Sequence, residues 1–148
     1  MAHSEILVSS YARWLRRDLF PGNLSGPDLA MALYEAPFVV VSHGTEPDPV
    51  LNYGNRRAQE LWELTWDELT HMPSRLTAEA PDREERARLL DLVTRFGFID
   101  NYTGVRVSKS GRRFRIARAV VWNLLDKGQR HAGQAATFSD WHELKTGQ

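Results

Sequence analysis

The stretch PVLNYGNRRAQELWEL, Pro49 to Leu64, decides how this chain is read. Val50 to Tyr53 has the composition of a short strand. Gly54 permits a reversal there. Asn55 is a preferred helix N-cap, because its side-chain oxygen can accept from amides that the first turn leaves free. Ala58, Leu61 and Trp62 then recur on one side of a helix. A strand that becomes a helix at a Gly-Asn pair implies helices laid over a sheet. Trp62, Trp66 and, much later, Trp122 supply large apolar surfaces for that contact.

Upstream, FVVVSH (Phe38 to His43) is a continuous apolar run with β-branched residues, as expected of a strand covered on both faces or central in a sheet. Pro47 and Pro49 cannot donate to a ladder, so the segment between favours a tight turn that pairs Val50–Tyr53 back on the first strand. Further back, a helix capped by Ser4 is predicted to run to about Leu19, with Ile6, Leu7, Tyr11, Trp14, Leu15 and Leu19 at helical spacing. Phe20-Pro21-Gly22-Asn23 stops it, and a short second helix passes through Leu29, Leu33 and Tyr34 before Pro37.

Downstream, Thr65 starts a short helix to about Met72. Asp82 begins a longer one, with acidic groups in the first turn where the helix dipole favours them. Leu89, Leu90, Leu92, Val93 and Phe96 are expected inward, and Gly97 ends that helix. Three strand-like segments follow, about Ile99–Ser108, Arg112–Leu125 and His131–Ser139. KSGRR and DKGQR separate them, each with a glycine where a hairpin needs positive φ. The expected fold is α+β, a five-stranded antiparallel sheet with helices packed over one face and an additional N-terminal helix. An enclosed space between sheet and helices would suit a small molecule. The division expected is a helical extension over 1–35, the main domain over 36–142 and a tail over 143–148.

The bulk properties narrow the function. A chain of 148 residues fits one domain, and its cysteine count is zero, which excludes thiol catalysis, thiolate zinc sites, disulfides and cysteinyl photoadducts. Lys plus Arg and Asp plus Glu are both 19, so no basic excess points to nucleic acid. No apolar run is long enough to cross a bilayer and no signal peptide is read, so a cytoplasmic location is expected. The five histidines, at 3, 43, 71, 131 and 142, are scattered without metal-binding spacing, and His3 reads as ordinary terminus.

The order of elements, with LNYGNRRAQELW at the second strand and the following helix, resembles a PAS (Per-Arnt-Sim) sensor domain. The blocks APFVVVSHGTEPDPVLNYGNRRAQELWELTWDEL, PSRLTAE, YTGVRVSKSGRRFRIARAVVWNL and GQAATFSDW look like the MEKHLA domain, from about Tyr11 to Trp141. The resemblance implies a PAS-like fold and a sensory or regulatory role, and names no ligand. Haem-binding relatives of the fold usually carry the iron-ligating His on the long helix before the meander. The corresponding helix here, Asp82 to Phe96, has none, so haem is disfavoured. Flavin-binding relatives contact the ring with a Gln on the last strand. Gln134 in AGQAATF resembles that placement, and a flavin without adduct chemistry stays open.

The residues themselves offer a ligand set. In RRFRIARAVVWNLL a strict alternation places Phe114, Ile116, Val120, Trp122 and Leu124 on one face, with Arg118 in that row. A guanidinium there is costly unless a bulge moves it out, an internal carboxylate pairs with it, or an anionic ligand meets it. Gln134 falls in register with Ala132, Ala136 and Phe138. The expected cavity residues are Arg118, Gln134, Tyr102 and His43, with Trp62 and Trp122 as core or as a stacking platform. Asn55 is expected to act as a structural cap.

The leading functional reading is a sensor that binds an unidentified small molecule and signals through protein association. Its N-terminal stripe of Ile6, Leu7, Trp14 and Leu15 would be an exposed interface to a partner or a second copy. The alternatives are a ligand-free interaction module, its cavity plugged by Trp62, Trp122 and Phe138, and a small enzyme pairing His43 or His71 with Glu79 or Asp82.

Overall fold

A computed structural model describes residues 2–20 and 22–145. Pro21, within the expected stop after the first helix, and the last three residues of the expected tail lie outside the described residues. The expected first hairpin forms as β1 (Val39–His43) and β2 (Leu51–Gly54), antiparallel. Asn55 then caps α3 (Arg56–Trp62), its side chain accepting from the Ala58 amide. A capping box at Thr65 and Glu68 starts the short α4 (Trp66–Leu69). The long helix is α5 (Ala80–Phe96), with Pro81 in its first turn and Gly97 at its end at φ 96°.

Three strands follow, β3 (Phe98–Val107), β4 (Arg113–Leu125) and β5 (His131–Phe138), and the hairpin joins them through β1 and β5. The sheet order is β2-β1-β5-β4-β3. A short sixth strand not expected from the sequence, β6 (Asp140–Glu143), continues past β5 and pairs with the first half of β4.

Each sheet face has its own apolar layer. Towards α3 and α5 point Val39, Phe114, Ile116, Ala119, Val121 and Phe138, packed with Trp62, Leu89 and Val93. The opposite face carries Val40, Val120, Trp122, Leu124 and Ala135. Val39 and Val40 therefore bury on opposite sides, which is why the run at Phe38–His43 lacks alternation.

The N-terminal helix α1 (His3–Leu15) covers that second face, and this overturns its reading as an exposed interface. Leu7 is fully buried, and Ile6, Trp14 and Leu15 pack half-buried around the same cluster. The Trp122 indole donates to the Leu7 carbonyl at 3.3 Å, and Tyr11 meets Trp122 edge-on at 5.1 Å. The helix ends at Leu15, short of the expected Leu19, with Arg16 left-handed at φ 55°. Leaving the helix there lets Leu19 and Phe20 fold under the same layer, where Phe20 meets Phe38 at 5.5 Å. His3 also belongs to the packing, its Nε2 2.9 Å from the Ser42 hydroxyl.

Two further expectations are corrected. Trp66 is 43% exposed and only edges against Tyr53, and on α5 Leu92 and Phe96 face outward. Val93 and Leu89 alone are buried on that helix, because one helix resting on a sheet buries a narrower stripe than five apolar positions would fill.

Candidate functional site

Between α3, α5 and the sheet lies a cavity of about 60 Å³. His43, Tyr102, Gln134 and Trp62, all named from the sequence, line it; Arg118 and Trp122 do not. One residue accounts for both misses. Arg118 adopts φ 54° and bulges out of β4, exposed and paired with Asp140 at 2.7 Å. A bulge moves every following side chain to the other face. Phe114 and Ile116 stay on the cavity side, Ala119 and Val121 take over from them, and Val120, Trp122 and Leu124 pass to the α1 side. A second irregularity, at Gly133 (φ 132°), separates Ala132 from Gln134, Ala136 and Phe138 in the same way. A Cβ on Gly133 would stand 2.1 Å from the His43 carbonyl oxygen, so β5 can approach β1 this closely only with glycine there.

His43 is 8% exposed, and its Nδ1 lies 3.0 Å from the Gly44 carbonyl. Burial holds its pKa below the ordinary value, with the positive charge of Arg86 acting in the same direction. A neutral ring that donates from Nδ1 leaves Nε2 as an acceptor, and Nε2 is buried without a partner. The Trp62 indole N–H is likewise buried and unpartnered.

Gln134 faces α5. Its amide donates to the Leu90 carbonyl at 3.1 Å, the Thr94 hydroxyl at 3.0 Å and the Asn123 side-chain oxygen at 3.0 Å. Asn123 in turn donates to the Val93 carbonyl at 2.8 Å, and the two residues are register partners on β4 and β5. Together they tether the last turn of α5 to the sheet.

On the other side of the cavity, Tyr102 donates its hydroxyl to Glu85 at 2.9 Å and accepts from Arg106 at 3.2 Å. The ring needs Gly104 beneath it, where a Cβ would come 2.3 Å from the hydroxyl oxygen. Arg86 and Arg106 line the cavity too, and sequence reading passed over both. Arg86 falls within REERAR, which looks like a solvated helix face. Arg106 alternates with Val105 and Val107, a pattern that reads with equal ease as outward-facing. The available signal was that Tyr102, Gly104 and Arg106 share one strand face two residues apart.

Neither a flavin nor a haem fits this space. Sites for ligands of that size measure roughly 300 Å³ or more, Gln134 is occupied by α5, and α5 carries no histidine. Of the residues considered for acid-base chemistry, His71 is exposed beside Asp67 and Glu79 pairs with Arg113 at 2.8 Å. Among the described residues, no side chain of His43, His71, Glu79 or Asp82 is hydrogen-bonded to the side chain of another of them. There is also no cluster of three metal-ligating side chains, and no helix long and apolar enough to cross a membrane, among the described residues.

The strand order, the α5 crossover and the cavity between sheet and helices are those expected of a PAS domain, and the MEKHLA domain family matches residues 1–143. The chain belongs to the MEKHLA domain family. Solved structures agree on the fold. The PAS domain of a protein from Colwellia psychrerythraea superposes with a TM-score of 0.64 at 12% identity, covering 78% of this chain and 92% of that one. A light-oxygen-voltage domain studied with a flavin analogue gives 0.61 at 15% identity, covering 80% and 85%. An RNA-binding light-oxygen-voltage receptor gives 0.63 at 16% identity, covering 84% of this chain and 36% of that longer one. Comparison with curated proteins finds no match. The MEKHLA chain is thus a PAS-like α+β domain, with its expected five strands extended by a sixth.

Proposed function

We propose that this MEKHLA domain is a sensory or regulatory module that takes a small molecule into the cavity between sheet and helices and passes the event on by protein association. The observation that carries this reading is a pair of unpartnered buried atoms, His43 Nε2 and Trp62 Nε1, on two residues that line the cavity. Buried polar groups are ordinarily bonded, and leaving one unbonded costs about 1–3 kcal/mol, so a polar occupant there would be stabilising.

A route outward would run through groups already connected. Leu90 and Gln134 both border the cavity, Gln134 is bonded to Asn123, and the Trp14 indole of α1 donates to the Asn123 carbonyl at 2.9 Å. An occupant that displaced α5 would therefore load the contact that holds α1 on the far face, and release of α1 would uncover Leu7 and Leu15 for a partner.

The test is native mass spectrometry of protein purified from its own host, combined with a thermal-shift screen. A retained molecule appears as added mass, and a ligand at a hundredfold excess over Kd adds about 2.7 kcal/mol of stability. An absorbance spectrum of the same sample checks independently for flavin or haem.

The small volume and the contact of Trp62 with Phe138, 6.1 Å between ring centroids, favour a second reading, a ligand-free interaction module. That reading requires that no compound raises the Tm and that nothing co-purifies.

A further inference from the structure

Two guanidinium groups border the cavity, Arg86 from α5 and Arg106 from β3. Arg106 is 7% exposed. It donates to the Val105 carbonyl at 2.8 Å and the Tyr102 hydroxyl at 3.2 Å, and lies over the Tyr102 ring at 5.6 Å. Arg86 donates to the buried Ser74 hydroxyl at 2.7 Å.

Among the described residues neither group has a carboxylate within ion-pair distance. The Glu85 carboxylate is connected to Arg106 through the Tyr102 hydroxyl. Arginines nearer the surface are treated differently: Arg56, Arg113 and Arg118 each hold a carboxylate at 2.7–2.8 Å. Burial, and after it the charge of Arg106, pushes the Arg86 pKa down to about 10. Two like charges bordering one cavity, one buried and the other partly so, are unfavourable until an anion joins them, and a planar fork of N–H donors suits a carboxylate.

The size and lining of the cavity narrow the anion. Its volume, about 60 Å³, is well below the roughly 150 Å³ that admits benzene. Much of the remaining wall is apolar, including Val41, Leu89, Ile116 and Phe138. A short alkyl group suits that wall better than the all-polar surface of phosphate.

We propose that the cavity is a receptor for a short-chain monocarboxylate of about four or five non-hydrogen atoms, its carboxylate held by Arg86 and Arg106 and its alkyl part against the apolar wall. This rests on the ligand-sensing reading of the same cavity and gives that reading its chemical class.

The experiment follows the indole N–H resonance of Trp62, assigned with Trp62→Phe, in ¹⁵N-labelled full-length protein. Sodium acetate and propionate are titrated at constant ionic strength beside acetamide, propionamide and sodium phosphate. The carboxylates should give a saturable shift and the amides none. Arg106→Gln and Arg86→Gln should each weaken carboxylate binding about tenfold or more.

Amides binding as well as carboxylates, phosphate binding in their place, or wild-type affinity in both variants would overturn the assignment. The carboxylate–amide comparison on the wild-type protein decides the matter even if a variant fails to fold. A neutral molecule retained through purification, with no response to carboxylates, sinks the carboxylate while leaving the sensor reading intact. Silence towards every compound, with nothing retained, sinks both.

Discussion

Asn55 offers the sharpest test of how this fold is held, because it does far more than cap a helix. Its side chain is fully buried. The oxygen accepts from the Ala58 and Val40 amides, both at 3.1 Å, and the nitrogen donates to the Leu33 carbonyl at 3.1 Å and the Phe38 carbonyl at 2.8 Å. One amide thus joins α2 (Gly26–Tyr34), the lead into β1, and α3. Asn55→Ala leaves two N–H and two C=O groups without this partner. At about 1 kcal/mol for each, the loss is roughly 4 kcal/mol, a large part of the 5–15 kcal/mol that stabilises an ordinary domain. A cap acting alone would cost about 1 kcal/mol and at most about 2. Asn55→Asp separates the two accounts. It keeps both acceptors, and Asp caps as well as Asn, so a pure cap would be untouched. The junction account has a carboxylate facing two carbonyl oxygens in a dry site, and expects a loss of about 2 kcal/mol or more. Equilibrium urea unfolding followed by tryptophan fluorescence measures both at matched m-values. An Asn55→Ala loss below about 2 kcal/mol, together with an Asn55→Asp protein of wild-type stability, would refute the reasoning.

Three further outcomes are expected. Gly133→Ala should cost about 3 kcal/mol or more, because its Cβ meets the His43 carbonyl at a strained φ, whereas Gly111→Ala, with open space around it, should cost about 1; urea unfolding of the two side by side checks the difference. Leu7→Ala should lose about 3 kcal/mol with no change in oligomeric state, as core truncation does, and an altered sedimentation profile at unchanged stability would restore α1 as an open interface. The Glu63 carboxyl is held down at about 2 by the Ser108 and Ser110 hydroxyls, the Ser110 amide and the Arg112 guanidinium. Since its folded pKa is depressed, its stabilising contribution is complete above the unfolded value of ~4.3 and is lost as pH falls towards 2; Glu63→Gln should flatten the stability–pH slope in that window, and a Glu63 side-chain NMR midpoint of about 4 would contradict the account.

The sequence by itself determined the element order, the hairpin at Gly54–Asn55, the meander and the PAS-like class. These follow from signals that are local to the chain: the β-branched run at Phe38–His43, the cap at Asn55, and glycines at the turns. It also named four of the cavity's residues, His43, Trp62, Tyr102 and Gln134, since each carries a polar or aromatic group that a strand or helix must direct somewhere. The chain partners of those elements were decided only by tertiary structure. A bulge at Arg118 reverses the face of every residue after it, and strict alternation has no means of counting an unpaired residue. Trp122 went to α1 for that reason, and with it the apolar stripe of Ile6, Leu7, Trp14 and Leu15 found its cover within the same chain. Arg86 and Arg106 are ordinary surface residues by pattern. They come to border one cavity because α5 folds back over β3, a tertiary contact that no local period records.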